Sequence, residues 1–554
     1  MKRPDLHLRL IVLGLLILSV AWPALAADTR GVPADLMLNV PPRTQVTRLV
    51  IPAVDRQAVA AEDAVADLDG GAVRFALRWA VDLTPDTAGQ WETLATGERL
   101  WRLRVRCPEA LSLNLGFSRF DLAPGARLQI YAVDGDGPVL GFDAADTRSH
   151  GQLWTPVLLT GDILLELRVP AGAWDASRLH LTAIDRGYRF FGAPDSDKAG
   201  DCNIDVVCPE GDGWRNEIAT VGVYSKSGPT GSFYCTGALI NNTSRDRRPL
   251  FLTAFHCGVN ETVAPSVVVY WNYQSVNCGD QSGGRTDQFT LGSTLLADRY
   301  ESDFALLELD SQPDPVFGVK YAGWDRTSRD PAWAVAIHHP STDEKSISFE
   351  DDPLTTTSYG QDAGPGDGTH LRVEDWDAGT TEPGSSGSPL FNESRLVVGQ
   401  LHGGFASCIA ARPDWYGRLS VSWSAGTTPR TRLREWLDPR GTGVTTLALL
   451  DPEDPVEPEP EGGPIEILNV SPRPTKDIVT VVFHLNKDQR VHARVMNVRG
   501  AAVADLGTQD LEEGDRQLSW NGLGADGRRV PSGLYLLRLT STDGEATTRL
   551  ILIH

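Results

Sequence analysis

The sequence predicts an all-β protein of several domains. Its 554 residues exceed the usual length of one domain, and at about 150 residues per domain they suggest three or four. The chain holds 54 glycines and 36 prolines but only 3 methionines, which favours short strands joined by turns over coiled coils. Residues 73–79 and 101–105 alternate apolar with polar side chains, as half-buried strands do.

The charge balance excludes one class of partner. Lys and Arg total 51 against 73 Asp and Glu, which gives a net charge of −22 at pH 7. A field of that sign repels nucleic acid and anionic membranes. We therefore expect no nucleic-acid partner, whereas a cationic substrate would be favoured.

The first 26 residues have the pattern of a secretory signal peptide. Basic residues precede an apolar run over residues 10–21, and small residues lead to a predicted cleavage after Ala26. The run is shorter than the roughly 20 residues that cross a bilayer, and no later segment is expected to span one. We expect export to the cell surface or medium, an oxidising environment in which the seven cysteines are first of all disulfide candidates.

The N-terminal block, residues 27–198, is predicted to be a β-sandwich. It contains one cysteine, Cys107, and no cluster of histidine with a nucleophile and an acid. We interpret it as a pro-domain that assists folding or inhibits the next block, with a carbohydrate-binding sandwich as the alternative.

Two segments follow the central block, residues 199–450. Residues 451–464 begin with six acids and four prolines within eleven residues, which predicts a stiff linker. Residues 465–554 show short strand-like runs between Gly- and Asp-rich turns, as in an immunoglobulin-like β-sandwich. This part resembles modules that sort or anchor secreted bacterial enzymes, which implies contact with secretion machinery, whereas a plain binding or spacer module is the alternative.

The central block contains a base, an acid and a nucleophile in a protease order. His256 ends an apolar run beside Cys257, Asp303 stands at the start of a strand-like run, and Ser386 lies in a Gly-Ser-Ser-Gly-Ser-Pro loop. The order His, Asp, Ser is that of the chymotrypsin-like enzymes. We predict that His256 is the general base, that Asp303 orients it and that Ser386 is the nucleophile, with a structural or decayed site as the alternative. The backbone N–H groups of Gly384 and Ser386 would form the oxyanion hole.

Five stretches of the central block are distinctive as sequence motifs. They are residues 202–213 (CNIDVVCPEGDG), 269–273 (VYWNY), 337–340 (IHHP), 381–389 (TEPGSSGSP) and 399–404 (GQLHGG). Together they closely resemble the bacterial lysyl endopeptidases. That resemblance implies a chymotrypsin-like double β-barrel, synthesis as a secreted pre-pro-enzyme, and cleavage of protein or peptide substrates after lysine without a cofactor.

The resemblance also implies a disulfide framework, whereas six cysteines alone allow 15 pairings. The implied pairs are Cys202–Cys408, Cys208–Cys278 and Cys235–Cys257. The last pair would close a short loop that ends next to the predicted base. Cys107 is left over, and we expect it to be a small buried hydrophobe.

A pocket for a basic side chain requires a buried carboxylate. Trypsin-like enzymes place it six residues before the nucleophile, where this chain has Thr380. The resemblance instead implies Asp414, in an Asp-Trp-Tyr-Gly-Arg segment, with Glu382 as a nearby rival. It also places His402 near the site and Tyr359 where an aromatic residue lines it.

The distribution of lysine suggests where the chain is processed. Seven lysines stand against 44 arginines, and residues 27–197 contain 17 arginines but no lysine. Lys198 is thus the first lysine after the signal, four residues before Cys202, and we predict self-cleavage between Lys198 and Ala199. Ser385 replaces the aspartate that captures a new N-terminus in trypsin-like zymogens, so that activation route is not expected.

These observations predict an exported, lysine-specific serine endopeptidase that acts as a monomer. Two alternatives stay open: a protease that accepts both lysine and arginine, and an inactive binding protein displayed by its C-terminal module. Few histidines are present, 11 in all, and no metal site is expected.

Overall fold

The computed structural model describes residues 33–66, 71–134, 137–173, 177–189, 199–453, 465–472, 475–476, 478–497, 501–542 and 544–553. The predicted cleavage sites at Ala26 and Lys198, and all but the first three residues of the predicted linker, lie outside these residues. The protein is 45% strand and 10% helix, which confirms the all-β class.

The N-terminal block forms two sheets around one apolar core. One sheet has the order β1-β4-β9-β6-β7 with β3 added to β4, and the other contains β2-β10-β5-β8. Leucine, isoleucine, valine and phenylalanine side chains of both sheets pack between them, and Cys107 is buried among these side chains. The elements are α1 (Ala34–Met37), β1 (Arg48–Val50), α2 (Arg56–Ala66), β2 (Val73–Leu83), β3 (Gln90–Thr93), β4 (Arg99–Arg106), β5 (Ser112–Asp121), β6 (Arg127–Ala132), β7 (Leu140–Asp143), β8 (Leu153–Trp154), β9 (Asp162–Val169) and β10 (Arg178–Gly187).

The first half of the central block is an antiparallel sheet in the order β16-β15-β12-β13-β14-β18-β17. Nearly every residue of its inner strands is buried. The elements are β11 (Ile204–Asp205), α3 (Arg215–Ile218), β12 (Val221–Gly228), β13 (Gly231–Leu239), β14 (Leu250–Ala254), β15 (Val268–Trp271), β16 (Phe289–Leu291), β17 (Ser293–Arg299) and β18 (Phe304–Leu309), of which β11 and α3 lie outside that sheet.

The second half is a further sheet in the order β11-β21-β20-β24-β25-β26-β23-β22, with β19 and β27 at one side. Apolar side chains of both halves share one core, so the two sheets are packed together rather than being separate units. The elements are β19 (Trp324–Asp325), β20 (Ala334–His338), β21 (Ser346–Glu350), β22 (Thr355–Thr357), β23 (His370–Val373), β24 (Pro389–Asn392), β25 (Val397–Gly404), β26 (Asp414–Arg418), α4 (Leu419–Ser424), α5 (Arg434–Leu437) and β27 (Thr446–Leu447).

The N-terminal block and the central block are joined by strand pairing. Strand β2 runs antiparallel to β13, with Leu77 opposite Gly231 and Val73 opposite Tyr234. A Cβ on Gly231 would lie 1.8 Å from the carbonyl oxygen of Ala76, so only glycine permits this approach. The two blocks therefore share one sheet, which the sequence did not predict.

The C-terminal region forms a small two-sheet sandwich. One sheet has the order β28-β29-β32 and the other β31-β30-β33-β34, and apolar side chains of both pack together. Among the described residues, no helix is long and apolar enough to cross a bilayer. The strands are β28 (Ile465–Ser471), β29 (Val479–Leu485), β30 (Gln489–Asn497), β31 (Ala502–Leu511), β32 (Gly514–Trp520), β33 (Gly533–Thr540) and β34 (Glu545–Leu552).

Candidate active site

Paired strands bring His256 and Asp303 together. Strand β14 ends two residues before His256, and its partner β18 begins one residue after Asp303, with Ala254 opposite Phe304. Asp303 Oδ2 lies 2.8 Å from His256 Nδ1, and Asp303 Oδ1 accepts the backbone N–H of His256 at 2.9 Å. Asp303 is 1% exposed, and Gln400 Nε2 donates to its carbonyl oxygen at 3.1 Å. Gln400 thus holds the backbone of Asp303, and the Asp303 carboxylate holds the histidine in one orientation.

The turn that carries Ser386 packs against the same strand. Gly387, with φ +83°, lies so close to β14 that a Cβ there would approach Thr253 Oγ1 to 2.3 Å. The carbonyl oxygen of Ser386 accepts the N–H of Thr236 at 2.9 Å. His256 Nε2 is buried and has no hydrogen-bond partner in the described structure. Cys257, the residue after the histidine, lies with its Sγ 3.9 Å from the carbonyl oxygen of Ser386, so the base and the serine turn are neighbours, although the structure has no hydrogen bond between His256 Nε2 and the Ser386 hydroxyl.

Three disulfides hold this region, and they are the pairs that the resemblance implies: Cys202–Cys408, Cys208–Cys278 and Cys235–Cys257. Cys235 lies on β13 and Cys257 directly follows His256, so this bridge ties the base to the first sheet. Cys107 is free and buried, and burial raises the pKa of its thiol.

Asp414 is a buried acid at the start of β26. It is 1% exposed, and its Oδ2 accepts hydrogen bonds from Thr381 Oγ1 at 2.6 Å and Trp376 Nε1 at 2.8 Å. Its Oδ1 accepts only a long contact, 3.4 Å, from the N–H of Ala406. Burial raises the pKa of the Asp414 carboxyl. No ion pair of Asp414 with a described Lys, Arg or His is present, so a cationic side chain would find an unused oxygen there.

Glu382 lies in a different environment from Asp414. Its carboxylate accepts the N–H of Gly200 at 3.2 and 3.3 Å and the hydroxyl of Ser341 at 3.1 Å. The acid is engaged with the segment that follows Ala199, and we therefore retain Asp414 as the candidate pocket acid.

Two rings stack beside the candidate base. The Tyr359 and His402 ring centroids lie 3.7 Å apart at 11°, and those of His402 and His256 lie 5.3 Å apart at 18°. His402 Nδ1 lies 2.9 Å from His370 Nε2, and His370 Nδ1 lies 2.7 Å from Thr369 Oγ1. Burial lowers the pKa of both His402 and His370 to about 4, so both rings are neutral at pH 7. The stack places an uncharged aromatic wall against the base.

His370 was not predicted, because an isolated histidine carries no motif, and His338 lay in the IHHP motif without an assigned role. His338 Nδ1 lies 2.9 Å from Ser385 Oγ and its Nε2 lies 3.0 Å from Ser348 Oγ. Burial lowers the pKa of His338 to about 3. A neutral histidine is thus the partner of Ser385, at the position where trypsin-like zymogens carry an aspartate. His338 is the last residue of β20 and His370 is the first residue of β23.

One potential metal-binding group is present among the described residues. Ligand atoms of His256, Asp303 and His402 lie within 4.8 Å of one another. The hydrogen bonds and ring stacking given above already account for this cluster.

Comparison with known families identifies three regions. Residues 51–184 match the family model for the lysyl endopeptidase N-terminal domain, residues 196–417 match the lysyl endopeptidase C-terminal domain, and residues 469–553 match the secretion system C-terminal sorting domain. These matches confirm both resemblances found in the sequence.

A lysyl endopeptidase of Pseudomonas aeruginosa is 32% identical over 306 residues, which are 50% of this chain and 63% of that protein. The chain thus spans less than two thirds of that relative. Among solved structures, the active form of the Rv3671c protease of M. tuberculosis is 16% identical with a TM-score of 0.28, over 44% of this chain and 93% of that one. The protease Anisep of Arthrobacter nicotinovorans is 14% identical with a TM-score of 0.27, over 36% and 90%.

Proposed function

The chain contains the N- and C-terminal domains of the lysyl endopeptidase family, and from this premise we propose that it is an exported serine endopeptidase that cleaves peptide bonds on the carboxyl side of lysine. The observation that carries the proposal is the doubly hydrogen-bonded His256–Asp303 pair, next to which Cys257 contacts the backbone of Ser386.

The proposed reaction is acyl transfer through Ser386. His256 Nε2 takes the hydroxyl proton while Oγ attacks the peptide carbonyl, and the protonated ring then gives that proton to the leaving amine. Asp303 stabilises the cationic ring through the Nδ1 hydrogen bond. The N–H groups of Gly384 and Ser386 are proposed to bind the oxyanion, and the φ of +100° at Gly384 is a backbone conformation that favours glycine in this turn. Water attacks the acyl-enzyme in the second half-reaction.

The preference for lysine is proposed to come from Asp414. Thr381 and Trp376 donate to Oδ2, and Oδ1 accepts only the long contact from Ala406, so Oδ1 is the oxygen proposed to receive the substrate cation. A lysyl ammonium is a compact charge that one oxygen can bind, whereas a guanidinium binds best to two oxygens side by side. The arrangement at Asp414 therefore favours lysine over arginine.

The lysines of the central block are buried or ion-paired, which would protect an enzyme that cleaves after lysine from digesting itself. Lys226 is 9% exposed and Lys345 is fully buried, while Lys320 forms an ion pair with Asp451. The exposed lysines of the described chain, Lys476 and Lys487, belong to the C-terminal sandwich. We propose that Lys198–Ala199 is the maturation site and that residues 27–198 are a pro-domain.

The pairing of β2 with β13 gives the proposed pro-domain a means of restricting access. Tyr234, opposite Val73 in this pairing, lies so close to Gly384 that a Cβ there would approach its ring to 2.2 Å. The added strand therefore ends near the oxyanion turn. The sorting domain at residues 469–553 supports export, with the secretion machinery as its proposed partner.

N-terminal sequencing and intact mass of the secreted protein, beside a Ser386→Ala variant, test this proposal. We expect the wild type to begin at Ala199 and the variant to retain residues before it. Lys198→Gln should block processing, whereas Arg119→Gln, which removes one positive charge from an exposed residue of the same block, should not. Identical processing of wild type and Ser386→Ala would contradict self-maturation.

A further inference from the structure

The segment that follows the proposed maturation site is held by two carboxylates. The N–H of Ala199 donates to Asp343 Oδ2 at 3.0 Å, and the N–H of Gly200 donates to both oxygens of Glu382 at 3.2 and 3.3 Å. Ala199 and Asp343 are each only 5% exposed. Consecutive backbone nitrogens thus point at two acids from different loops.

Neither acid has a cationic partner in the described part of the chain. Asp343 also accepts the N–H of Glu344 at 3.0 Å, and burial beside the Glu344 carboxyl raises the pKa of Asp343. Taking a carboxylate out of water with only neutral donors is costly, and a hydrogen-bonded cation would offset that cost. In the uncut chain the negative charge of these carboxylates is therefore not balanced by a cation of the described residues.

The same two acids are linked to the turn of the nucleophile. Ser341 donates its N–H to the carbonyl oxygen of Pro383 at 2.7 Å and its hydroxyl to Glu382 at 3.1 Å. The N–H of Ser385 donates to the carbonyl oxygen of Glu382 at 3.0 Å. A change in charge at Ala199 would therefore act next to residues whose hydrogen bonds reach the turn of Ser386.

We propose that Asp343 and Glu382 form a binding site for the α-ammonium group that cleavage at Lys198–Ala199 creates. This inference rests on the maturation proposed above. Hydrolysis breaks the C–N bond, water supplies the hydroxyl of the new Lys198 carboxyl group, and the released amine takes a proton. One amide donor at Ala199 is thereby replaced by a cation with three donors, facing Asp343. The ion pair tightens the contact between residues 340–343 and the turn of Ser386, and it does for this chain what the aspartate missing at Ser385 does in trypsin-like zymogens.

The experiment uses the catalytically inactive Ser386→Ala chain, so that its result is independent of the proposed activity. Pro194→Asp and Ser196→Asp place an enteropeptidase site before Ala199, and enteropeptidase then cuts after Lys198. The cut protein is treated with acetic anhydride near pH 7, and mass spectrometry follows acetylation of the Ala199 amine. Asp343→Asn removes the acid, Glu382→Gln is a second variant, and Asp201→Asn removes an exposed acid two residues from the new N-terminus.

An ion-paired amine is protonated more often and reacts more slowly. We expect the folded, cut chain to be acetylated at least about tenfold more slowly than the urea-unfolded chain, since one pKa unit changes the unprotonated fraction tenfold. Asp343→Asn or Glu382→Gln should restore much of the rate, and Asp201→Asn should not. Equal rates in folded and unfolded protein, or equal rates in wild type and both site variants, would overturn the proposal.

An activity measurement separates the two proposals. In the active chain cut at the same bond, Asp343→Asn should lower kcat for a lysyl peptide by about tenfold with little change in KM, because it acts on the oxyanion turn and not on the pocket. If the chain that retains Ser386 is cut at this bond and shows no peptidase activity, the proposed function is contradicted. Slow acetylation of its Ala199 amine would still support the binding site.

Discussion

Asp303 binds His256 twice, through Nδ1 at 2.8 Å and through the backbone N–H at 2.9 Å. The ring contact fixes Nδ1 as the protonated nitrogen, so Nε2 is left free to accept a proton. The backbone contact also holds the main chain of His256 against the same carboxylate. One acid therefore determines both the tautomer and the position of the base.

Asp303→Asn tests this relationship. The amide can keep the geometry but favours the wrong tautomer, and we expect kcat to fall by about 10³–10⁴-fold with KM little changed. Steady-state kinetics on a lysyl peptide measure the effect. Glu301→Gln, an exposed acid two residues away, is the matched control and should leave kcat unchanged. A loss confined to KM would contradict the assigned role.

Asp414→Asn tests the pocket. Removing the buried charge should lower kcat/KM for lysyl peptides by about 10²–10³-fold, because the substrate ammonium would be buried without a partner. The exposed neighbour Asp375→Asn controls for net charge. If Asp414→Asn retained its preference for lysine over an uncharged side chain, another acid would have to supply the specificity.

Removal of the Cys235–Cys257 bridge tests how the base is held. The bridge closes a loop of 22 residues, and its loss should lower the free energy of unfolding by about 3 kcal/mol in the chain-entropy estimate. Because Cys257 adjoins His256, the double alanine variant should also lower kcat. Urea denaturation and kinetics measure the two effects, and the double alanine variant of Cys208 and Cys278, which removes a bridge that does not adjoin His256, is the control. An unchanged kcat would show that β14 alone positions the base.

The pH dependence of stability reports on His338. Burial lowers its pKa from 6.5 to about 3, so the unfolded chain binds a proton that the folded chain does not, at every pH between these values. Its contribution to the free energy of unfolding is complete above pH 6.5 and is lost as the pH falls toward 3. The stability of wild type relative to His338→Gln should therefore decrease by at most roughly 1.4 kcal/mol per pH unit between pH 6.5 and 4.5. Parallel stability curves would contradict a neutral, buried His338.

The sequence predicted those features that local motifs carry. The order of His256, Asp303 and Ser386, together with the family motifs, was enough to place the candidate site, and the implied cysteine pairs are present. Asp414 was predicted only because its Asp-Trp-Tyr-Gly-Arg segment resembles that of the family. No local sequence pattern shows that Trp376 and Thr381 would donate hydrogen bonds to one of its oxygens.

Features that arise from long-range packing were not predicted. Strand β2 meets β13 across more than 150 positions, and no periodicity within β2 reveals which edge it joins. Glu382 was a rival pocket acid because it lies near Ser386 in sequence, yet its side chain contacts Gly200. His370 needed the pairing of β23 with β26 to come beside His402, and a single histidine in a strand gives no such signal.

The most direct test of the central claim is a map of the bonds that the enzyme cleaves. A denatured protein mixture is digested with the secreted enzyme or with Ser386→Ala, and mass spectrometry identifies the residue before each new cut. We expect the cuts to follow lysine, bonds after arginine to be largely spared, and Ser386→Ala to make no cuts. Equal cleavage after arginine and lysine would contradict the pocket, and digestion by Ser386→Ala would contradict the nucleophile.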